Sequence, residues 1–330
     1  MTGREPEGTS VSLEPEALLA ALEADLVGPN VVAIGGGSGL AKALAAISRY
    51  AGRIHAVVTV ADDGGSSGRL APDLDIPPPG DIRQCLVALT PDDSVWRRLF
   101  EYRFAGSDVE GHSLGNLIIA ALADIEGGFE GALRQAESML RSSGSVIPAA
   151  AERLHLQAVV DGQPVEGQVA ISRSRGRISE LRGLPATAMA APLAVEAILD
   201  AEQIVLGPGS LYTSVMAALV VPGIVEAINQ SSAKLVYVCN LITQDGETLG
   251  MDSADHLDAL LALTGVRPPN AILANDAAIQ IDPPLAVVAV EEDAIATYGV
   301  DVVAADLVEE NSPWPSHDPA KLGDQLSRLA

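Results

Sequence analysis

Short uninterrupted apolar runs, each closed by glycine or a polar loop and followed by helix-spaced apolar residues, set the beat of this chain. Asn30-Val31-Val32-Ala33-Ile34 runs into glycines and reads as a buried strand of the parallel type. Leu40 to Ile47 follows as a helix, and Ile54 to Val60 is a second strand of the same character. Ile82–Leu89 begins a helix after a Pro/Gly turn, and Leu117–Ile125 is a strongly apolar helix. Ile204-Val205-Leu206 is a strand that ends in Gly-Pro-Gly. Lys234–Cys239 is another strand, followed by a polar loop and a helix near 255–264, and Ala271–Ala274 is one more. This alternation predicts an α/β fold: a doubly wound parallel sheet with helices on both faces.

One stretch breaks the beat. Residues 154–182 show short alternating runs separated by Asp161-Gly162 and Arg175-Gly176, which are hairpin signals. They predict a small inserted antiparallel β subdomain at about 152–184. Ahead of the first strand, residues 1–28 form an N-terminal extension. Residues 1–12 read as a disordered lead, and 14–27 as a short amphipathic helix with Leu18, Leu19, Leu22 and Leu26 on one face. Residues 29–330 then make up the main domain.

Composition narrows the function classes. With 330 residues, 48% of them hydrophobic, a large core is available. Aromatics are only 3%, so the core is built of Ala, Val, Leu and Ile, and base-stacking platforms for single-stranded nucleic acid are not expected. The formal charge of −24 repels phosphate backbones and anionic membranes, so neither nucleic acid nor membrane is an expected partner. A local nest of backbone N–H groups can still bind an anion on an acidic protein. Cys85 and Cys239 lie far apart and form no Cys-x-x-Cys, which predicts two buried thiols in a reducing, cytoplasmic setting. No apolar run approaches the ~20 residues of a membrane span, and no secretory signal opens the chain.

The candidate chemistry sits in the loops. Gly35-Gly36-Gly37-Ser38-Gly39 links the first strand to the first helix, where glycines allow a tight turn and a close phosphate, and the helix N-terminus adds N–H groups and a positive dipole. The P-loop pattern fails for want of Lys-Ser/Thr, and G-x-G-x-x-G fails at Leu40, so NAD is disfavoured while phosphate is not. A tight structural turn is the alternative. Asp62-Asp63-Gly64-Gly65-Ser66-Ser67-Gly68-Arg69 follows the second strand, at the sheet edge where ligands bind. Its paired carboxylates suit ribose hydroxyls, a base edge or Mg²⁺, its small residues a second anion nest, and Arg69 a charge. A solvated loop is the alternative.

Asp81 is an N-cap candidate after Pro77-Pro78-Pro79-Gly80, and Arg83 stands against the helix dipole, which favours an anion partner. Cys85 reads as a small core residue. His112 and Asn116, four apart at the start of an apolar helix, share a face; Ser113 suffices as a cap. Gly207-Pro208-Gly209-Ser210 repeats the strand–glycine–helix junction, and Asn240 to Thr248 is a polar loop after another buried strand. Their shared position at strand C-termini predicts one composite pocket across a switch point. No metal-ligand spacing, nucleophile elbow or Ser/His/Asp set is recognisable.

Six runs, IGGGSGL, VTVADDGGSSGRL, PPGDIRQCLVAL, HSLGN, LGPGSLYTSV and VCNLITQDGETLG, resemble in order the motifs of the gluconeogenesis factor family (YvcK-like), within the 2-phospho-L-lactate transferase (CofD-like) superfamily. The likeness runs from about residue 30 to about residue 320. It implies a Rossmann-like sheet with an inserted subdomain and a cytoplasmic regulatory protein. That protein would bind a UDP-sugar, notably UDP-N-acetylglucosamine, and support cell shape and cell-wall synthesis on gluconeogenic carbon sources. The resemblance places nucleotide binding on Gly35, Gly36, Gly37, Ser38, Gly39, Asp62, Asp63, Gly64, Gly65, Ser66, Asn116, Gly207, Gly209, Ser210, Asn240 and Thr243. On this reading no cofactor or metal is required.

The transferase cousins use Mg²⁺ and a guanosine diphosphate donor, with acidic residues matching Asp62 and Asp63, so a Mg²⁺-dependent phospho-group transferase is the alternative. Gln84 stands where the family usually has Asn, Asp245 where it has Pro, and Ser316 where an Arg-His-Asp run has Arg. No regulatory protein partner is named by the sequence. A homodimer is the base-rate expectation for such folds.

Overall fold

The computed structural model describes residues 27–66, 68, 76–106 and 108–330. The predicted helix at 14–27, all but its last residue, and the predicted contact at Arg69 lie outside the described residues. Seven strands form one parallel sheet: β1 (Asn30–Gly35), β2 (Arg53–Val58), β3 (Ser145–Pro148), β7 (Gln203–Leu206), β8 (Lys234–Val238), β9 (Ala271–Asn275) and β10 (Asp301–Ala305). Their spatial order is β10-β9-β8-β7-β1-β2-β3. The chain winds outward through β1, β2 and β3, then returns to the middle and winds the other way through β7 to β10. The switch point therefore lies between β1 and β7, which pair in parallel with Ile34 opposite Leu206.

Both faces of the central strands are covered. Five of the six β1 residues and all of β7 and β9 are buried, which alternating side chains permit only when helices flank both sides. α1 (Gly37–Ile47) buries Leu40, Ala43, Leu44 and Ile47 and packs against α2 (Pro79–Ala88) and the C-terminal α12 (Pro319–Arg328). Further helices in chain order are α3 (Val95–Glu101), α4 (Leu114–Ile125), α5 (Phe129–Leu140), α6 (Gln168–Ile171) and α7 (Pro192–Leu199). After β7 comes α8, a π-helical segment (Leu211–Met216) running into Ala217–Leu219, then α9 (Ile224–Gln230), α10 (Ser253–Thr264) and α11 (Glu292–Ala296). Among the described residues no single helix is long and apolar enough to cross a membrane.

A separate antiparallel sheet of order β5-β4-β6 is built from β4 (His155–Val160), β5 (Gln163–Glu166) and β6 (Ile178–Leu184). Turns at Asp161 and Arg175, both at positive φ, join its parts. Asp63 ties this insert to the main sheet, because its Oδ1 accepts the Val169 N–H at 3.0 Å.

The edge strand β3 was not legible as a strand. It is four residues long and ends in Pro148, and the outward N–H of Val146 is taken by Glu137 Oε1 at 2.6 Å. Short length, proline and a side-chain cap are the usual ways to blunt an exposed edge.

Candidate functional site

β1 and β7 present their C-terminal glycine loops side by side. Gly37 and Gly207 adopt φ of +66° and +75°, which side chains disfavour. At Gly39 a Cβ would overlap the Pro208 carbonyl, so glycine there lets the two loops close on each other. Together with the loop after β8 and the segment before α12, they enclose a cavity of about 590 Å³. Its walls include Ser38, Gly39, Lys42, Gly209, Ser210, Asn240, Thr243, Trp314, Ser316 and His317. This volume lies within the range of small-molecule sites, and the C-terminal side of a switch point is where open α/β sheets bind ligands.

The loops are cross-braced from within. The Gly209 N–H donates to Asn240 Oδ1 at 3.3 Å. The Thr243 N–H and Oγ1 bond to the two ends of the Ala286 peptide at 2.8 and 3.0 Å. Buried Glu247 accepts the Tyr212 and Thr213 N–H groups at 3.1 and 3.4 Å, and the Thr213 hydroxyl as well. Its carboxylate therefore occupies the start of α8, at the second strand–glycine–helix junction. Arg175 on the insert grips Asp245 bidentately at 2.9 and 2.7 Å, an ion pair that needs the acid at 245.

The residues of the Asp-Asp-Gly-Gly-Ser run and Asn116 do not line this cavity. Ser66 and Asn116 meet instead in a neighbouring polar centre beyond the C-terminal end of β2. Ser66 Oγ bonds His112 Nδ1 at 2.9 Å and accepts from Asn116 Nδ2 at 3.1 Å. Asn116 Oδ1 in turn accepts from Arg83 Nε at 3.1 Å, and Arg83 also donates to the Phe100 carbonyl at 3.3 Å. The partner sought for Arg83 is thus this internal set, and His112 and Asn116 do share a face. Asp62 Oδ1 accepts the Gly64 N–H at 2.9 Å, while the Asp63 carboxylate lies against the insert at Gly167 and Val169. The two acids hold different elements. Among the described residues no group of three or more His, Cys, Asp or Glu converges on one point.

Asp81 is the unexpected member. The N-cap of α2 is Pro78, so Asp81 sits inside the first turn and is buried rather than capping. Its carboxylate accepts the Gly37 N–H and stands within 2.6 Å of where a Gly36 Cβ would be. Burial, and then the nearby Asp62 charge, push Asp81 up to about 7. Asp81 and Thr59 crowd the place where a Gly36 Cβ would sit, which by itself requires glycine there. Cys85 and Cys239 are free and buried, and burial pushes Cys239 up to about 12, far from nucleophilic.

His317, only 7% exposed, donates to the Cys239 carbonyl, and its Nε2 lacks a hydrogen-bond partner. Burial pushes it down to about 4, so it is neutral at neutral pH. Lys42, Trp314 and His317 were not singled out as ligand contacts from the sequence. The available signals were one lysine a turn after Ser38 on an otherwise Ala/Leu helix, and a tryptophan in a chain of 3% aromatics.

The family model for 2-phospho-L-lactate transferase CofD matches residues 31–308. This chain belongs to the CofD family. Within it, the chain is 39% identical to the gluconeogenesis factor of Halalkalibacterium halodurans over 310 residues, 90% of this chain and 95% of that protein. It is 43% identical to the gluconeogenesis factor of Bacillus subtilis over 249 residues, 75% of this chain and 78% of that one. A crystal structure of a Bacillus halodurans member of the UPF0052 family superposes with a TM-score of 0.87 at 38% identity, covering 90% of this chain and 99% of that one. The CofD-family match spans the glycine loops, the Asp-Asp run, the insert and the loop after β8, and ends at Val308, before Trp314 and His317.

Proposed function

We propose that this protein is a gluconeogenesis factor that binds a UDP-sugar, UDP-N-acetylglucosamine first among them, in the switch-point cavity. The observation that carries the reading is the cavity itself. Two glycine loops, the Ser38 and Ser210 hydroxyls, the Asn240 and Thr243 side chains and one lysine face a space of ligand size. Backbone amides and hydroxyls suit a diphosphate and sugar hydroxyls, and the exposed Trp314 ring offers a face to a base or sugar. Its role is then regulatory, in the cytoplasm, in support of cell shape and wall synthesis on gluconeogenic carbon.

Thermal shift and calorimetry with UDP-N-acetylglucosamine, UDP-glucose, UDP, GDP and NAD, each with and without Mg²⁺, test this. A ligand at 100 times its dissociation constant adds about 2.7 kcal/mol of stability. Stabilisation by UDP-sugars without Mg²⁺, with the ligand recovered intact, is the expected result. No binding of UDP-N-acetylglucosamine at millimolar concentration refutes it.

A second reading has its own handle: Asp62 beside buried Asp81, next to the Gly36–Gly37 turn. It would be a phospho-group transferase, and Mg²⁺-dependent release of a nucleoside monophosphate or diphosphate would favour it.

A further inference from the structure

Ser38 and Lys42 lie one turn apart on α1 and both line the switch-point cavity. Among the described residues lining that cavity, Lys42 is the only lysine or arginine. It does not stand open. Its Nζ bonds Glu309 Oε2 at 2.9 Å, with both side chains about one-third exposed. Glu309 belongs to a hairpin after β10, running from Leu307 to Asp318. The hairpin is closed by the Glu309 N–H on the Ser316 carbonyl at 2.8 Å, the Asp318 N–H on the Leu307 carbonyl at 2.8 Å, and a Val308–His317 bridge. The same hairpin carries Trp314, Ser316 and His317, which wall the cavity. The Ser316 side chain also bonds the Glu309 carboxylate.

We propose that Lys42 is the phosphate-binding cation of this cavity, and that Glu309 is the internal anion that a ligand phosphate displaces, so that ligand binding is read out as movement of the 307–318 hairpin. The inference rests on the ligand reading above. The chemistry follows from the charges present. A phosphate beside Ser38 and the glycine loops lies a turn from Lys42, and a dianion outcompetes a single carboxylate for an ammonium group. Placing a phosphate near Glu309 while Lys42 still holds it would set two anions side by side, so the exchange and the loosening of the hairpin are one event. Neutral His317, an acceptor at Nε2, is a poor neighbour for phosphate. The phosphate therefore belongs at the α1 end and the hydrogen-bond-donating part of the ligand at the hairpin end.

The test uses the full chain with Lys42→Met, Glu309→Gln and the double variant, titrated calorimetrically with inorganic pyrophosphate, UDP and uridine. Lys42→Met should weaken pyrophosphate and UDP by about tenfold or more, the worth of one charge-assisted bond, and leave uridine unchanged. Glu309→Gln should tighten both anions by about threefold, the scale of an exposed ion pair, and should have no effect once Lys42 is Met. In a Trp96→Phe background, pyrophosphate, which has no ring to stack, should still shift Trp314 emission.

UDP bound equally by wild type and Lys42→Met would overturn the latch while leaving the cavity as the ligand site. Weaker anion binding by Glu309→Gln would overturn it too. Failure of wild type and Glu309→Gln to bind either anion would overturn both readings. Pyrophosphate binding that depends on Lys42, without any UDP binding, would keep the latch and reject the nucleotide.

Discussion

Replacing Asp81 by Asn isolates one buried charge at the base of the glycine loop. Asp81 is raised from an ordinary 3.8 to about 7, first by burial and then by Asp62, with the Gly37 N–H and Arg83 pulling the other way. The sign follows from linkage. A carboxyl whose folded pKa is raised holds its proton more tightly in the native state, so ionising it favours unfolding. Its contribution is fully present below pH 4, is lost as pH rises from about 4 to about 7, and is flat above. A displacement of about three units corresponds to about 4 kcal/mol. Asn keeps the shape and an oxygen for the Gly37 N–H but has nothing to ionise.

Wild type and Asp81→Asn should therefore be nearly equal in stability at pH 4. The variant should be more stable by several kcal/mol, up to about 4, at pH 8. Paired guanidinium denaturation curves in the same buffers measure the difference, and all other titrating groups cancel. Asp62→Asn should shrink the step without abolishing it, because burial is the larger cause. A difference that is constant across pH, or a variant less stable at pH 8 than wild type, would refute the reasoning. The same residue bears on ligands. An anion bound at the neighbouring α1 end of the cavity meets one negative charge fewer once Asp81 is protonated, so UDP-sugar affinity should rise more from pH 8 to pH 6 in wild type than in Asp81→Asn.

Glu247→Ala removes the shared acceptor of two N–H groups and one hydroxyl in a buried place, and should cost about 3 kcal/mol. An unmoved denaturation midpoint would show that the loop after β8 is held by something else. Gly39→Ala drives a methyl into the Pro208 carbonyl and should separate the β1 and β7 loops. Calorimetry should find weaker UDP-sugar binding, and denaturation a loss of about 1–3 kcal/mol. Asn116→Ala leaves buried Arg83 short of an acceptor and Ser66 short of a donor, a loss of about 2 kcal/mol measurable by the same denaturation.

The sheet was legible wherever a strand is buried on both faces. Val31–Ile34, Ile204–Leu206 and Ala271–Ala274 are unbroken apolar runs, and the glycine endings of the first two pointed to the switch point between β1 and β7. β3 was hidden because an edge strand of four residues with serine and proline carries no such run. Helices α5 and α7 escaped notice because their apolar stripes are narrow or their outer faces keep exposed leucines such as Leu193 and Leu199. At the site, the sequence marked the loops but not the pairings. Glu247 was one letter in a polar run, and nothing in its spacing said that it faces Tyr212 and Thr213 at the start of α8, 35 and 34 residues upstream. Asp81 looked like a cap because it follows Pro-Pro-Gly. Only the packing of α2 against α1 turns it toward Gly37. Lys42 and Glu309 are 267 residues apart and carry no common motif.

Asp81, Glu247 and Glu309 share one physical logic. The Gly37 amide is taken by Asp81, the Tyr212 and Thr213 amides by Glu247, and the cavity's lysine by Glu309. A protein with a formal charge of −24 has placed three of its own carboxylates on four groups that would attract a phosphate. The three are not equivalent. Asp81 and Glu247 are buried, and displacing them breaks the frame of the loops, whereas Glu309 is one-third exposed on a hairpin outside the sheet. Buried, hydrogen-bonded carboxylates are costly to strip of their partners, while an exposed ion pair costs under about 1 kcal/mol to exchange. Competition by a ligand phosphate therefore falls on the Lys42–Glu309 pair first. A diphosphate finds its cation there, without dismantling the two buried caps that keep the β1 and β7 loops in register.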